Sequence, residues 1–189
     1  EKVKELNIDG VSKLKKDELI AYAAEHGIEI DPKATDAQKR MFYTGIYHAL
    51  LEPVDRSGEN PLWTDTPYYD DFYAIWDTYR TCMPLLTLID PERQTDICNA
   101  LLNICKRDGY MPDARSGNCN GRTQGGSNAE IVLADAYAKG LGMPDHLNGD
   151  SSLIDYEHAL QCMLIDATLP PGGNQEAEGR GGLTEYLRL

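Results

Sequence analysis

The sequence has no apolar run near the roughly 18 residues that a membrane-spanning helix requires, and the chain as given opens on no signal peptide. It is short of positive charge: 18 Lys and Arg stand against 31 Asp and Glu, a net charge of −13. The imbalance is concentrated downstream, with 8 basic and 9 acidic residues up to Arg40 and 10 basic and 22 acidic beyond it. Such a surface repels nucleic acid and anionic lipid, so neither is expected as a partner. The five cysteines form an odd set without CxxC spacing or an accompanying histidine pattern, which excludes a zinc ribbon or finger. No phosphate-cradling P-loop and no recognisable Ser-His-Asp or Cys-His arrangement is present. What remains is a soluble globular composition, 41% apolar and 26% charged, over a length that suits one domain or a small module joined to part of a larger one.

What is present reads as helix. Apolar residues recur three and four apart between strong start and stop signals, and strand alternation is almost absent. The pattern predicts a helix over 13–26 closed by Gly27, and a second from an Asp36 cap to about Leu51, with Phe42, Ile46, Ala49 and Leu50 on its buried stripe. His48 is expected as a core or capping residue. A loop follows over 52–71, in which Trp63, Tyr68 and Tyr69 are aromatic platforms or packing groups. A single helix is predicted from about Phe72 to Leu88. Asp90-Pro91-Glu92 then sets a carboxylate cap, a proline at the first helical position and an acid where the dipole favours one, opening a helix to Arg107 that buries Ile97, Leu101, Ile104 and Cys105. Cys98 and Cys105 read as buried thiols. A Gly- and Asn-rich loop over 110–126 leads to Ser127-Asn128-Ala129-Glu130, the spacing of a capping box, and a helix to about Lys139. The last substantial helix is expected over 153–167. Periodicity alone does not separate an α/α toroid from a helical array.

Residues 8–37 resemble the helix-extended-helix modules related to SAP domains, through 14–20 (LKKDELI) and 27–35 (GIEIDPKAT). That resemblance implies a small scaffold, in some relatives linked to nucleic-acid binding. Lys13, Lys15 and Lys16 are balanced by neighbouring acids and read as a solvated helix face.

From Gln38 onward five segments, 42–48 (FYTGIYH), 75–80 (IWDTYR), 84–93 (PLLTLIDPER), 133–140 (LADAYAKG) and 178–183 (EGRGGL), resemble glycoside hydrolase family 92 in order and rough spacing. The resemblance implies an all-α fold here, a partial (α/α)6 toroid of helical hairpins over 38–189 preceded by the small module over 1–37. It further implies a calcium-dependent, inverting α-mannosidase acting on mannose-containing glycans, from a secreted, periplasmic or cell-surface parent. The N-terminal β-sandwich of the family and the region carrying its base aspartates have no counterpart in these residues, so the chain is expected to be an inactive part of such an enzyme. The calcium ligands are not located. An incomplete toroid leaves apolar helix faces uncovered, which predicts self-association.

Inversion needs a carboxylic acid to protonate the leaving oxygen and a carboxylate to activate water opposite. By the resemblance, the general-acid position of the family aligns without gaps on Asn120. An amide delivers no proton. Family members acting on mannose-1-phospho-6-mannose linkages also carry an amide there, which brings mannosyl phosphodiesters into view; a shifted role for Asp113 or Glu130 is the competing explanation, although Glu130 is also explained as the capping partner of Ser127. Substrate contacts are expected from Trp76, Asp77 and Arg80, one turn apart on a helix, against the alternative that Asp77 and Arg80 only pair with each other. Arg122 and Gln124, with Arg115, Asn118, Asn120 and Asn128, put polar donors into the glycine-rich loop, suited to sugar or phosphate oxygens or to solvent. The reading from another class is a non-catalytic binding or scaffold protein that uses the helix-extended-helix module.

Overall fold

The computed structural model describes residues 16–28, 30–120, 128–144 and 153–168, which fall into two compact units, one ending at Glu52 and the other beginning at Pro53. In the first unit, α1 (Lys16–Glu25) and α2 (Asp36–Ala49) pack together through a short non-helical connection. Gly27, at φ 65°, ends α1: its N–H donates to Ala24 O at 3.1 Å and the Ile28 N–H to Ala23 O at 2.8 Å, satisfying carbonyls that the helix leaves open. The cap of α2 is Thr35, one residue before the expected Asp36. Its hydroxyl accepts from the Gln38 N–H while the Gln38 side chain accepts from the Thr35 N–H, a reciprocal box that the Thr-x-x-Gln spacing encodes. Asp36 instead stands in the first turn, where the helix dipole favours it. Ile46, Tyr47 and Leu50 are buried and Phe42 half-buried. His48 is exposed in the last turn, not in the core; the two residues before it take the buried face.

The second unit is built around α5 (Pro91–Asp108), which contacts α4 (Cys82–Ile89), α6 (Ala129–Ala138) and α7 (Tyr156–Thr168). The cap signal holds as read: Asp90 accepts from the Arg93 N–H, Pro91 occupies the first position, and Gly109 at φ 78° closes the helix. Ile97, Leu101 and Ile104 have no exposed surface, and Cys98, Ala100, Leu102 and Cys105 are buried with them, so the apolar face extends around the middle of the helix.

The predicted single helix over 72–88 divides. Tyr73–Ala74 is a strand (β3), Ile75–Thr78 a one-turn helix (α3), and α4 starts afresh after Thr81. Pro84 is the reason: without an N–H it cannot bond back to the preceding turn, and it is accommodated in the first turn of a new helix. The last two helices lie near their expected bounds. Ser127 of the anticipated capping box lies outside the described residues, and Asn128 at the start of α6 makes no side-chain cap bond.

The fold is mainly helical but not all-α. Five short strands occur among the described residues: β1 (Val54–Asp55) pairs antiparallel with β2 (Tyr69–Asp70), and β3 pairs with β4 (Ala114–Ser116), which pairs with β5 (Cys119–Asn120). The expected loop over 110–126 therefore contains a hairpin. With Ser116 opposite Cys119, its connection is Gly117-Asn118, both left-handed at φ 58° and 62°, the conformation a two-residue turn needs to follow the strand twist. Among the described residues no helix is long and apolar enough to cross a membrane.

Candidate functional site

The loop over 56–71, the end of α5 and the β4–β5 hairpin meet at Arg115. It lies on β4, opposite Asn120 on one side and Tyr73 on the other. None of its side chain is exposed. Such burial is tolerated only because the charge is paired and hydrogen-bonded. Nη1 donates to Asp108 Oδ2 at 2.6 Å and also to Asn120 Oδ1, Nη2 donates to Asn118 Oδ1 at 2.8 Å, and the guanidinium carbon lies 5.7 Å from the centre of the Tyr68 ring. Asp108, the last residue of α5, also accepts from Asn120 Nδ2 at 2.8 Å.

Asn118 ties the hairpin turn to the loop over 56–71. Its backbone N–H donates to Asp70 Oδ2 at 3.0 Å, and its side chain exchanges two hydrogen bonds with Asn60, at 2.9 and 3.2 Å. Asp70, buried, further accepts from the Tyr68 hydroxyl and from the Asp71 N–H at 2.7 Å. Asp71, at φ 57°, bridges Arg56 at 2.8 Å and the Ser116 hydroxyl at 2.9 Å. Burial, reinforced by the Asp70 hydrogen bond, pushes the Tyr68 hydroxyl up to about 12, and burial does the same for Tyr69. Tyr68 and Tyr69 are therefore core residues and not exposed platforms; Trp63 stands half-buried with its ring edge-on to Tyr68 at 4.6 Å. The loop is anchored to α5 by Asn103, which donates to Pro67 O at 3.0 Å, and by the Arg107–Asp65 ion pair.

Of the residues singled out from sequence, the structure assembles Arg115, Asn118 and Asn120. Trp76, Asp77 and Arg80 lie in and just beyond α3, which follows directly on β3; Trp76 is 39% exposed, and Asp77 and Arg80 form a solvent-exposed pair at 3.5 Å. That pairing is weak, and it leaves both groups open to a ligand. Arg122 and Gln124 lie outside the described residues, as does the 178–183 segment. Asp113 is buried beside the hairpin, and its carbonyl accepts from the Ile75 N–H at 3.0 Å. The sequence signals single out none of Asp108, Asn60 and Asp70, the last two lying within the expected loop over 52–71. The Gly-Asn dipeptide at 117–118 was the available signal for the hairpin. Among the described residues, no three or more His, Cys, Asp and Glu side chains form a group able to hold a metal ion.

Cys105 on α5 and Cys162 on α7 are buried free thiols in contact, and the shared hydrogen bond holds the Cys105 proton while lowering Cys162. Cys98 is also buried and free, its thiol pushed up to about 12 by burial.

The chain is 34% identical over 153 residues to an uncharacterized secreted glycosidase of Arthroderma benhamiae, covering 80% of this chain and 15% of that protein. Its fold is similar to that of a family GH92 inverting mannosidase from Bacteroides thetaiotaomicron, with a TM-score of 0.68 and 27% identity over 92% of this chain and 23% of the other. A GH92 α-mannosidase from the same organism gives a TM-score of 0.58 and 26% identity over 97% of this chain and 24% of the other. The chain thus spans about a quarter or less of the length of these relatives. Residues 25–189 match the glycosyl hydrolase family 92 catalytic domain, a match that begins within the segment resembling a helix-extended-helix module, and the chain belongs to that family.

Proposed function

We propose that the chain is a part of the helical, toroidal catalytic domain of a calcium-using inverting glycoside hydrolase that acts on mannosyl linkages, mannosyl phosphodiesters in particular, and that residues 1–189 by themselves do not turn substrate over. The observation carrying the leaving-group assignment is the environment of Asn120. Its amide donates to Asp108 and accepts from Arg115, so the position assigned to the general acid by family resemblance holds a group with no acidic proton. An alkoxide leaving group needs that proton. A phosphate monoester, whose second pKa is about 6, departs as an anion at neutral pH without it.

Substrate contacts fall to two neighbouring surfaces. Trp76 offers an exposed face for a sugar ring, with Asp77 and Arg80 for hydroxyl groups. The hairpin supplies fixed polar donors around Asn120.

The test is proton NMR of the purified chain with calcium, offered α-1,2-mannobiose and mannose-1-phospho-6-mannose separately, together with amide-shift mapping. The expected result is no released mannose from either, with the phosphodiester perturbing resonances of 114–120 more strongly than the disaccharide. Release from α-1,2-mannobiose would overturn the proposal. Release of β-mannose from the phosphodiester alone would overturn the inactivity and support the leaving-group assignment.

A further inference from the structure

Asp108, Arg115 and Asn120 form a closed triangle. Arg115 Nη1 donates to Asp108 Oδ2 and to Asn120 Oδ1, and Asn120 Nδ2 donates to the same Asp108 oxygen at 2.8 Å. Every edge has a donor at one end and an acceptor at the other. Arg115 is fixed in this role, because it is also bonded to Asn118, lies against Tyr68 and has no exposed side-chain surface.

We propose that Asp108 is the positioning residue that selects an amide over a carboxylate at position 120 and turns the amide nitrogen toward its ligand side. A carboxylate at 120 would keep the Arg115 edge but would set two acceptors a hydrogen bond apart on the Asp108 edge. Like charges at that separation force one of the pair to retain a proton. A cation at 120 would face Arg115. The pocket around 120 therefore specifies one acceptor atom and one donor atom, which is a carboxamide.

The consequence deepens the proposed function and rests on it. A carboxamide nitrogen carries two hydrogens, and Asp108 takes one. The second is available to an anionic oxygen of a departing phosphate, held in place without any proton being transferred. Asp108 thus acts through Asn120 and touches no substrate.

The experiment compares Asn120→Asp and Asp108→Asn across pH. At pH 7 each lowers Tm by roughly 5 °C, and the Asn120→Asp loss relative to the parent shrinks as the pH falls through the carboxylate range, where one of the two facing carboxyl groups takes the proton that restores a donor opposite an acceptor. Asp108→Asn shows no such recovery, and its Asn120 side-chain amide pair shifts. An Asn120→Asp loss that is unchanged at acid pH overturns the proposal. So does an Asn120→Asp variant as stable as the parent. If Asn120→Asp does not fold, the Asn120 amide shift in D108N still decides: an unmoved resonance refutes the Asp108 bond. The functional reading is judged separately on the unmutated chain, where the absence of any shift with mannose-1-phospho-6-mannose counts against the substrate class while leaving the coupling between 108 and 120 intact.

Discussion

Arg115 Nη1 and Asp108 Oδ2 lie 2.6 Å apart, with none of the arginine side chain and 30% of the aspartate side chain exposed. The pair is asymmetric, and its two truncations should differ. Removing Asp108 leaves a guanidinium buried with only neutral amides to accept from it, whereas removing Arg115 leaves a carboxylate that still reaches water and still accepts from Asn120. Breaking a buried pair costs roughly 3–5 kcal/mol when the surviving charge is stranded. Asp108→Ala is therefore expected near about 3 kcal/mol and Arg115→Met well below it, read from urea denaturation of both variants. The reverse order would mean that Arg115 is held by packing on Tyr68 and not by its charge partner.

The centre of α5 offers a second contrast. Leu101 has no exposed surface, while Leu88 at the end of α4 is 76% exposed. Leu101→Ala removes atoms from a fully buried site on α5, the helix that contacts α4, α6 and α7, at a cost of roughly 3 kcal/mol from lost transfer energy and the residual cavity. Leu88→Ala should change stability by less than about 0.5 kcal/mol. A shift in the urea midpoint for Leu101→Ala without a change in slope would confirm a loss confined to the folded state.

The elements that sequence located well are those whose signals are local. Asp90-Pro91 and Gly27 each act through one backbone conformation or one hydrogen bond, and each stands where expected. The missed features depended on partners distant in the chain. Tyr73 and Ala74 become a strand because Arg115 and Ala114 lie alongside, and Asp108 becomes a site residue because the hairpin returns Asn120 to it. No helical period predicts either contact. The division of the 72–88 helix is a different case, since Pro84 was visible and its missing N–H was enough to require a fresh start upstream. The Thr35 cap was legible in the same way: Thr-x-x-Gln is a capping box, and Asp36 drew the cap one residue too far.

On α7, Leu160 and Leu164 are 56% and 54% exposed and lie one turn apart. Adjacent exposed leucines on a helix form an apolar stripe that favours association. Sedimentation velocity should show a concentration-dependent species larger than 21.0 kDa for the parent chain, and the double variant Leu160→Gln/Leu164→Gln should move the distribution toward monomer. A parent that stays monomeric at high concentration would rule out the stripe as an interface between copies.

Tyr68 gives a pH dependence with a definite sign. Burial and the hydrogen bond to Asp70 raise its hydroxyl to about 12 in the folded chain, against about 10 when unfolded. Below about pH 10 both states are protonated and the stabilising contribution is fully present; between about 10 and 12 only the unfolded state ionises readily, and the contribution is lost. Tyr68→Phe removes the donor to Asp70, which retains the Asn118 and Asp71 N–H groups. At pH 7 the variant should be less stable by about 1 kcal/mol. At pH 11 that deficit should shrink, because the parent alone pays for keeping this hydroxyl protonated. Thermal melts of both chains at the two pH values measure the difference directly. A deficit that is unchanged at pH 11 would show that the Tyr68 hydroxyl titrates alike in the folded and unfolded states, and that Asp70 draws its stability from its backbone donors alone.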